Sequence, residues 1–244
     1  KANQVTCRLL GPDFPARAEN PPCHHPEEQT GPQMSSLFVT FEGIEGCGKS
    51  TQIERLAKRL AKEGHETLTL REPGGTPIGE AIRDVVKFPP GHNPISPDTE
   101  LLLMNASRAQ LVQQEIRPAL ANGVVVLCDR FYDSSLAYQG HGRGLDLVKV
   151  QKAIDLAIGG TKPNLTLLLD IPLSVSQARV SDRHHSTGEI QDQFDESGTK
   201  FFERVLDGFH ILAKAEPARF RVINGDKSID TVTEEIWDSI QSHL

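Results

Sequence analysis

The stretch "FEGIEGCGKST", Phe41 to Thr51, constrains this chain more than any other. Within it, Gly43-Ile44-Glu45-Gly46-Cys47-Gly48-Lys49-Ser50 satisfies the pattern G-x-x-x-x-G-K-[ST]. An apolar run, "LFVTF", enters it, and "TQIERLAKRLAKEG" leaves it with Ile53, Leu56, Ala57 and Leu60 at helical spacing. Such a loop between a strand and a helix is built to cradle phosphate. Its glycines let backbone N–H groups converge on phosphate oxygens, and the helix N-terminus adds positive partial charge. Lys49 is expected to reach β and γ phosphates, and Ser50 to offer a hydroxyl to Mg²⁺. Glu45, in the middle of the loop, is the anomaly, because a carboxylate repels polyphosphate. Either the match is accidental or that carboxylate serves a second ligand. Cys47 stands at a helix N-terminus, where a thiol pKa falls and redox sensitivity can follow. The simpler reading, which we prefer, is a small side chain tolerated between two glycines.

The rest of the chain supports one α/β domain. "TLTL", "VVVLCDR", "NLTLLLDIP" and "RFRVING" read as further buried strands. Between them lie a short helix near Glu80 to Val86 and a long helical stretch, "DTELLLMNASRAQLVQQEIRPALANG". This alternation predicts a doubly wound parallel sheet of five strands with helices on both faces and ligands at the strands' carboxyl ends. Residues 1–33 are Pro-rich and polar, without periodicity. They are expected to be a disordered extension or a segment upstream of the natural protein, with the folded domain spanning 34–244 and Met34 a natural start; a targeting or partner-binding arm is the alternative. The net charge of −7 argues against binding polymeric nucleic acid. No apolar run approaches the roughly 20 residues that span a bilayer. Four cysteines without metal-ligand spacing point to the cytoplasm.

What the loop serves is narrowed by its neighbours. A guanine-reading NKxD is absent, and "DESG" lacks a preceding strand. After "VVVLC", Asp129 is followed at once by Arg130, and an added arginine at a strand end suits a second anionic ligand. Arg71 follows "TLTL" and Arg108 lies on the long helix, so both can point to the same crevice.

From about Leu37 onward the chain resembles bacterial thymidylate kinases, enzymes that use ATP to phosphorylate dTMP to dTDP. The resemblance rests on "FEGIEGCGKST", "REPGGTPIGEAIR", "ASRAQLV", "DRFYDSSLAYQG" and "FFERVLDGF", in the family's order. It implies a P-loop NTPase fold with a mobile lid, the co-substrate ATP, Mg²⁺ held at Ser50 and Asp129, and a homodimer packed through helices. Residues 43–51 would bind the donor. Glu45 would contact the sugar and phosphate region of the acceptor. Arg71, Arg108 and Arg130 would handle the acceptor phosphate or thymine. Ser134, Ser135, Tyr138 and Gln139 lie on the segment that reads the nucleoside, where the tyrosine crowds the sugar 2′ position.

Some family members carry a catalytic arginine in the loop. This chain has Ile44, Glu45 and Cys47 there and resembles the class whose lid supplies it, which points to Arg179 and above all Arg183. The expected catalytic set is therefore Lys49, Glu45, Arg130 and Arg183. There are two departures. Met104 stands where the family usually has a phenylalanine on thymine, and the usual "DRFE" reads "DQFD", Asp192 to Asp195, without its arginine. A different nucleotide or deoxynucleoside acceptor is the nearest alternative, and a nucleotide-binding regulator is the alternative outside enzymes.

Overall fold

The computed structural model describes residues 36–92, 94–187 and 198–244. Five parallel strands form one sheet: β1 (Phe38–Glu42), β2 (Thr67–Arg71), β3 (Val125–Asp129), β4 (Leu165–Asp170) and β5 (Phe220–Asn224), in the order β2-β3-β1-β4-β5. The expected strand number and direction are borne out. β1 therefore lies at the centre, where successive connections turn to opposite sides, and a crevice opens at the carboxyl ends there. Register makes those ends level: Arg71 and Phe41 both pair with Asp129.

Strand alternation divides the core. Val39 and Phe41 join Leu127 and Leu167 on one face, whereas Phe38 joins Val126 and Cys128 on the other. The first face is covered by α1 (Lys49–Lys62), α8 (Thr199–Ala215) and α9 (Ile229–Gln241); the second by α3 (Pro97–Leu111) and α6 (Leu147–Ile158). In α1 the buried positions Ile53, Leu56 and Leu60 form a helical stripe, as the sequence predicts.

Two helices differ from expectation for local reasons. α2 (Pro77–Lys87) starts three residues before Glu80, because Thr76 caps it: Thr76 Oγ1 accepts from Gly79 N at 3.0 Å, and Pro77 suits the first turn. The long helix also starts early, at Pro97, capped by Ser96, and it is not uniform. After α3 it passes through a π-helical stretch, Val112–Ile116, into α4 (Arg117–Ala121). Pro118 has no N–H to give to the preceding turn, and the wider π turn accommodates that loss. A short α5 (Tyr132–Ser135) and a second π-helical stretch, Leu136–Gly142, follow β3. Helix α7 (Leu173–Thr187) follows β4.

Candidate active site

The turn from β1 into α1 is a backbone nest. Gly48 caps α1 with φ 97° and no side chain, which leaves the first amides facing outward. Gly43 has φ 132°, and a Cβ there would sit 2.5 Å from Leu169 O, so only glycine fits. Lys49 is buried, its ammonium donating to the carbonyls of Gly43 (3.3 Å) and Ile44 (3.1 Å). The Cys47 sulfur lies 3.5 Å from that ammonium and is buried, which fits a small packed side chain. Ser50 donates its hydroxyl to Asp129 Oδ2 at 3.1 Å.

The loop forms one wall of a cavity of about 490 Å³, within the usual range for small-molecule sites. Of the residues expected from the sequence, Glu45, Gly46, Gly48, Lys49, Ser50, Thr51, Met104, Arg130, Ser134, Tyr138, Arg179 and Arg183 line it. Glu45 turns toward the cavity and pairs with Arg183 of α7. Burial would raise its carboxyl, but the hydrogen bond and charge of Arg183, with Arg130 and Lys49, outweigh burial and hold it below the ordinary range. One face of α7 grips this part of the loop. Ser176 donates to Glu45 O (2.6 Å), Arg179 to Gly46 O (3.2 Å), and Arg183 lies one further turn on.

Across the cavity, Arg130 donates to Gly43 O (3.0 Å) and to Ser134 Oγ (3.1 Å), and its guanidinium stacks 5.0 Å from the Tyr138 ring. The Tyr138 ring packs edge-on against Phe201 and Phe209, so it is at once core and cavity wall. It and Gln139 lie in a π-helical stretch, a conformation frequent at functional sites.

Gly43, Ile44, Cys47 and Asp129 do not themselves line the cavity, and Arg108, Ser135, Gln139 and Arg71 stand behind or beside the wall. Arg108 is only 2% exposed and bonds Glu72, Asn105, Ser135 and the Phe131 carbonyl, a buried hub that braces the wall from within. Ser135 is its partner, and Gln139 donates to Glu100 at 2.8 Å. Arg71 is 56% exposed and pairs with Glu80 at 2.8 Å, outside the cavity. Asp192 to Asp195 lie outside the described residues.

Sequence reasoning missed Glu72, Arg83, Lys87 and Phe202, which also line the cavity. Arg83 and Lys87 stand four apart on α2, a spacing that puts two cations on one helix face. Glu72 is buried, and burial outweighs Arg108 to raise its carboxyl above the ordinary value. Its Oε1 has no partner among the described residues, and neither has Oε1 of Gln139, which is buried behind the wall.

Comparison with known proteins agrees with this geometry. The family described as thymidylate kinase matches residues 41–236. The thymidylate kinase of Geobacter sulfurreducens is 47% identical over 208 residues, covering 85% of this chain and 97% of that protein. That of Pseudomonas fluorescens strain SBW25 is 46% identical over 203 residues, covering 83% and 94%. The crystal structure of thymidylate kinase from Ehrlichia chaffeensis superposes with a TM-score of 0.68 at 33% identity, covering 85% of this chain and all of that one. With the family matched over residues 41–236 and relatives aligned over nearly their whole length, this chain belongs to the thymidylate kinase family.

Proposed function

We propose that the crevice holds two nucleotides end to end, with donor phosphates in the Gly43–Thr51 loop, the acceptor phosphate beside Glu45 and Arg130, and Arg183 at the phosphoryl group that passes between them. The protein phosphorylates dTMP to dTDP at the expense of ATP. The observation that carries the two-ligand reading is Glu45, a mid-loop carboxylate that faces the cavity and is matched there by cations.

An oxygen of the dTMP phosphate attacks the γ-phosphorus of ATP. The new P–O bond forms as the bond to the β–γ bridging oxygen breaks, and that electron pair leaves with ADP. A phosphate monoester has its second pKa near about 6, so at neutral pH the nucleophile is already ionised and no base is required. What remains is alignment and charge neutralisation. Lys49 exchanges the loop carbonyls for β and γ oxygens. Arg183, on the helix leading to the expected lid, lies close enough to Glu45 to address the transferring phosphoryl. Ser50 and Asp129 present hard oxygens side by side, which fits Mg²⁺, a cation that takes one or two protein oxygens and the rest from phosphates and water. When bound there, the ion neutralises charge on the phosphates.

On the acceptor side, Met104 offers a soft apolar face to the base and Tyr138 a wall to the sugar. Arg108, Ser135 and Gln139 hold that wall, and the open acceptor on Glu72, which lines the cavity, supports recognition of a donor-bearing base. Arg71 reaches the phosphate only by leaving Glu80, and an exposed pair of this kind holds it by less than about 1 kcal/mol.

Residues 34–244 are the catalytic unit in this reading. Leu102 on α3 and Leu156 on α6 are 64% and 87% exposed, and with Ile78 of α2 they support a homodimer through these helices. We assign the enzyme to the cytoplasm; among the described residues no helix is long and apolar enough to cross a membrane.

Purified protein supplied with ATP and each nucleoside monophosphate in turn tests the assignment. dTMP is expected to be the preferred acceptor. Turnover of another monophosphate with none of dTMP refutes it.

A further inference from the structure

Glu42 ends β1, and strand alternation sets its side chain on the face of Phe38 and Thr40, away from the loop that follows. It is fully buried and does not line the cavity. Its carboxylate nevertheless collects three donors from a distant part of the chain. Oε1 accepts from Phe131 N (2.8 Å) and Ser134 N (3.3 Å), and Oε2 from the Ser134 hydroxyl (2.6 Å). These groups form the first turn of α5, whose N-cap position is Phe131, a residue without a capping side chain. Glu42 supplies that cap from another strand.

Arg130, just before this turn, is the one non-glycine with positive φ among the described residues, at 68°. A left-handed arginine persists only where its surroundings over-determine it. Here Arg130 N donates to Phe41 O at 2.9 Å, and the next peptide N–H is held by Glu42. The guanidinium is steered by the same group at one remove, since it donates to the Ser134 oxygen whose proton Glu42 accepts. Asp133, on the same turn, is anchored separately by a bidentate pair with Arg219 at 2.6 and 2.9 Å. The turn is therefore pinned from two sides, and the Glu42 side is the one that reaches Arg130.

We infer that Glu42 is a positioning residue for the acceptor site: it fixes the turn that keeps Arg130 left-handed and orients the Ser134 hydroxyl that aims the guanidinium into the crevice. The inference rests on the reading that Arg130 binds the acceptor phosphate. A carboxylate suits the task because two oxygens with about four lone-pair sites can serve three donors at once. An alanine at 42 would leave the Phe131 amide and the Ser134 hydroxyl proton without an acceptor, the Ser134 amide keeping only Phe131 O at 3.1 Å.

Steady-state kinetics of Glu42→Ala, Glu42→Gln, Arg130→Ala and the double variant Glu42→Ala/Arg130→Ala test it. Loss of charge-assisted bonds at this site is expected to raise the KM for dTMP at least about tenfold while leaving the KM for ATP within about twofold. Glu42→Gln keeps one oxygen for the amides and offers an NH₂ to the Ser134 oxygen, so it should restore the dTMP KM to within about threefold of the parent. In the Arg130→Ala background, Glu42→Ala should add nothing further, since both act through one group. Equal rises in both KM values, an unchanged dTMP KM, failure of Glu42→Gln to restore it, or full additivity with Arg130→Ala overturns the inference. An Arg130→Ala enzyme with unchanged dTMP KM instead refutes the reading of Arg130 itself. Should Glu42→Ala not fold, Ser134→Ala removes the same link and is judged by the dTMP-selective rise and the non-additivity with Arg130→Ala.

Discussion

Replacing Glu42 by glutamine should change how the stability of this protein depends on pH. Burial is the main reason that the Glu42 carboxyl is pushed up to about 7 from the ordinary 4.5. The nearby Asp133 carboxylate adds to the rise, while Arg130, the Ser134 hydroxyl and the Phe131 amide oppose it. The sign follows from linkage. Between these two values the folded protein binds the proton more tightly than the unfolded chain. The stability contributed by the protonated carboxyl is therefore full below 4.5 and is lost as pH climbs through about 7. The interval corresponds to about 3 kcal/mol.

Glutamine has nearly the same shape and no charge to bury. At pH 4.5 the variant and the parent should be nearly equal in stability, and at pH 8 the variant should be more stable by about 3 kcal/mol, or about 6–12 °C in melting midpoint for a domain of this size. Trp237, the sole tryptophan, is buried beneath Arg59 with 4.1 Å to the ring centroid and reports unfolding by fluorescence. The difference between variant and parent cancels every contribution common to both. A difference that stays constant with pH, or that favours the parent at pH 8, refutes the assignment of a proton-binding burial cost to Glu42.

Two further outcomes follow from the crevice. Arg183→Ala should lower kcat by about 10³-fold or more with little change in dTMP affinity, as measured by single-turnover kinetics and equilibrium binding; unchanged turnover moves the phosphoryl-stabilising role elsewhere. Met104→Phe should sharpen discrimination between dTMP and dUMP, because a rigid ring replaces an adaptable thioether against the base; an unchanged ratio of kcat/KM would show that this face does not contact the base.

Much of the fold was legible because its signals are local. Strand runs bounded by glycine, the helical stripe of α1 and the motif between them each lie within a dozen residues, and they settled strand number, direction and the phosphate loop. Helix starts were less legible, since capping by Thr76 and Ser96 depends on single side chains rather than on periodicity. The motif residues Lys49, Ser50, Glu45 and Arg130 could be named because each sits within or beside a strand end, and parallel strands bring their carboxyl ends together whatever the intervening chain. Arg71 shows the limit of that argument: its backbone is level with Asp129, yet its side chain turns outward to Glu80.

What the sequence alone determined was the chemistry available at the crevice: a phosphate nest, a carboxylate in its middle, and arginines at strand and helix ends. Which groups meet was decided only by tertiary structure. Glu45 and Arg183 are 138 residues apart in the chain, and Glu42 and Ser134 are 92 apart. Pairs so distant leave no periodic trace, because their contact depends on sheet order and on how α7 and α5 dock, not on spacing. Buried carboxylates such as Glu42 and Glu72 are the clearest case. In the sequence they are ordinary acids beside glycine or proline. The fold removes their water, sets their proton affinity and gives them their partners, and so turns one into the cap that holds Arg130 and the other into an open acceptor in the cavity wall.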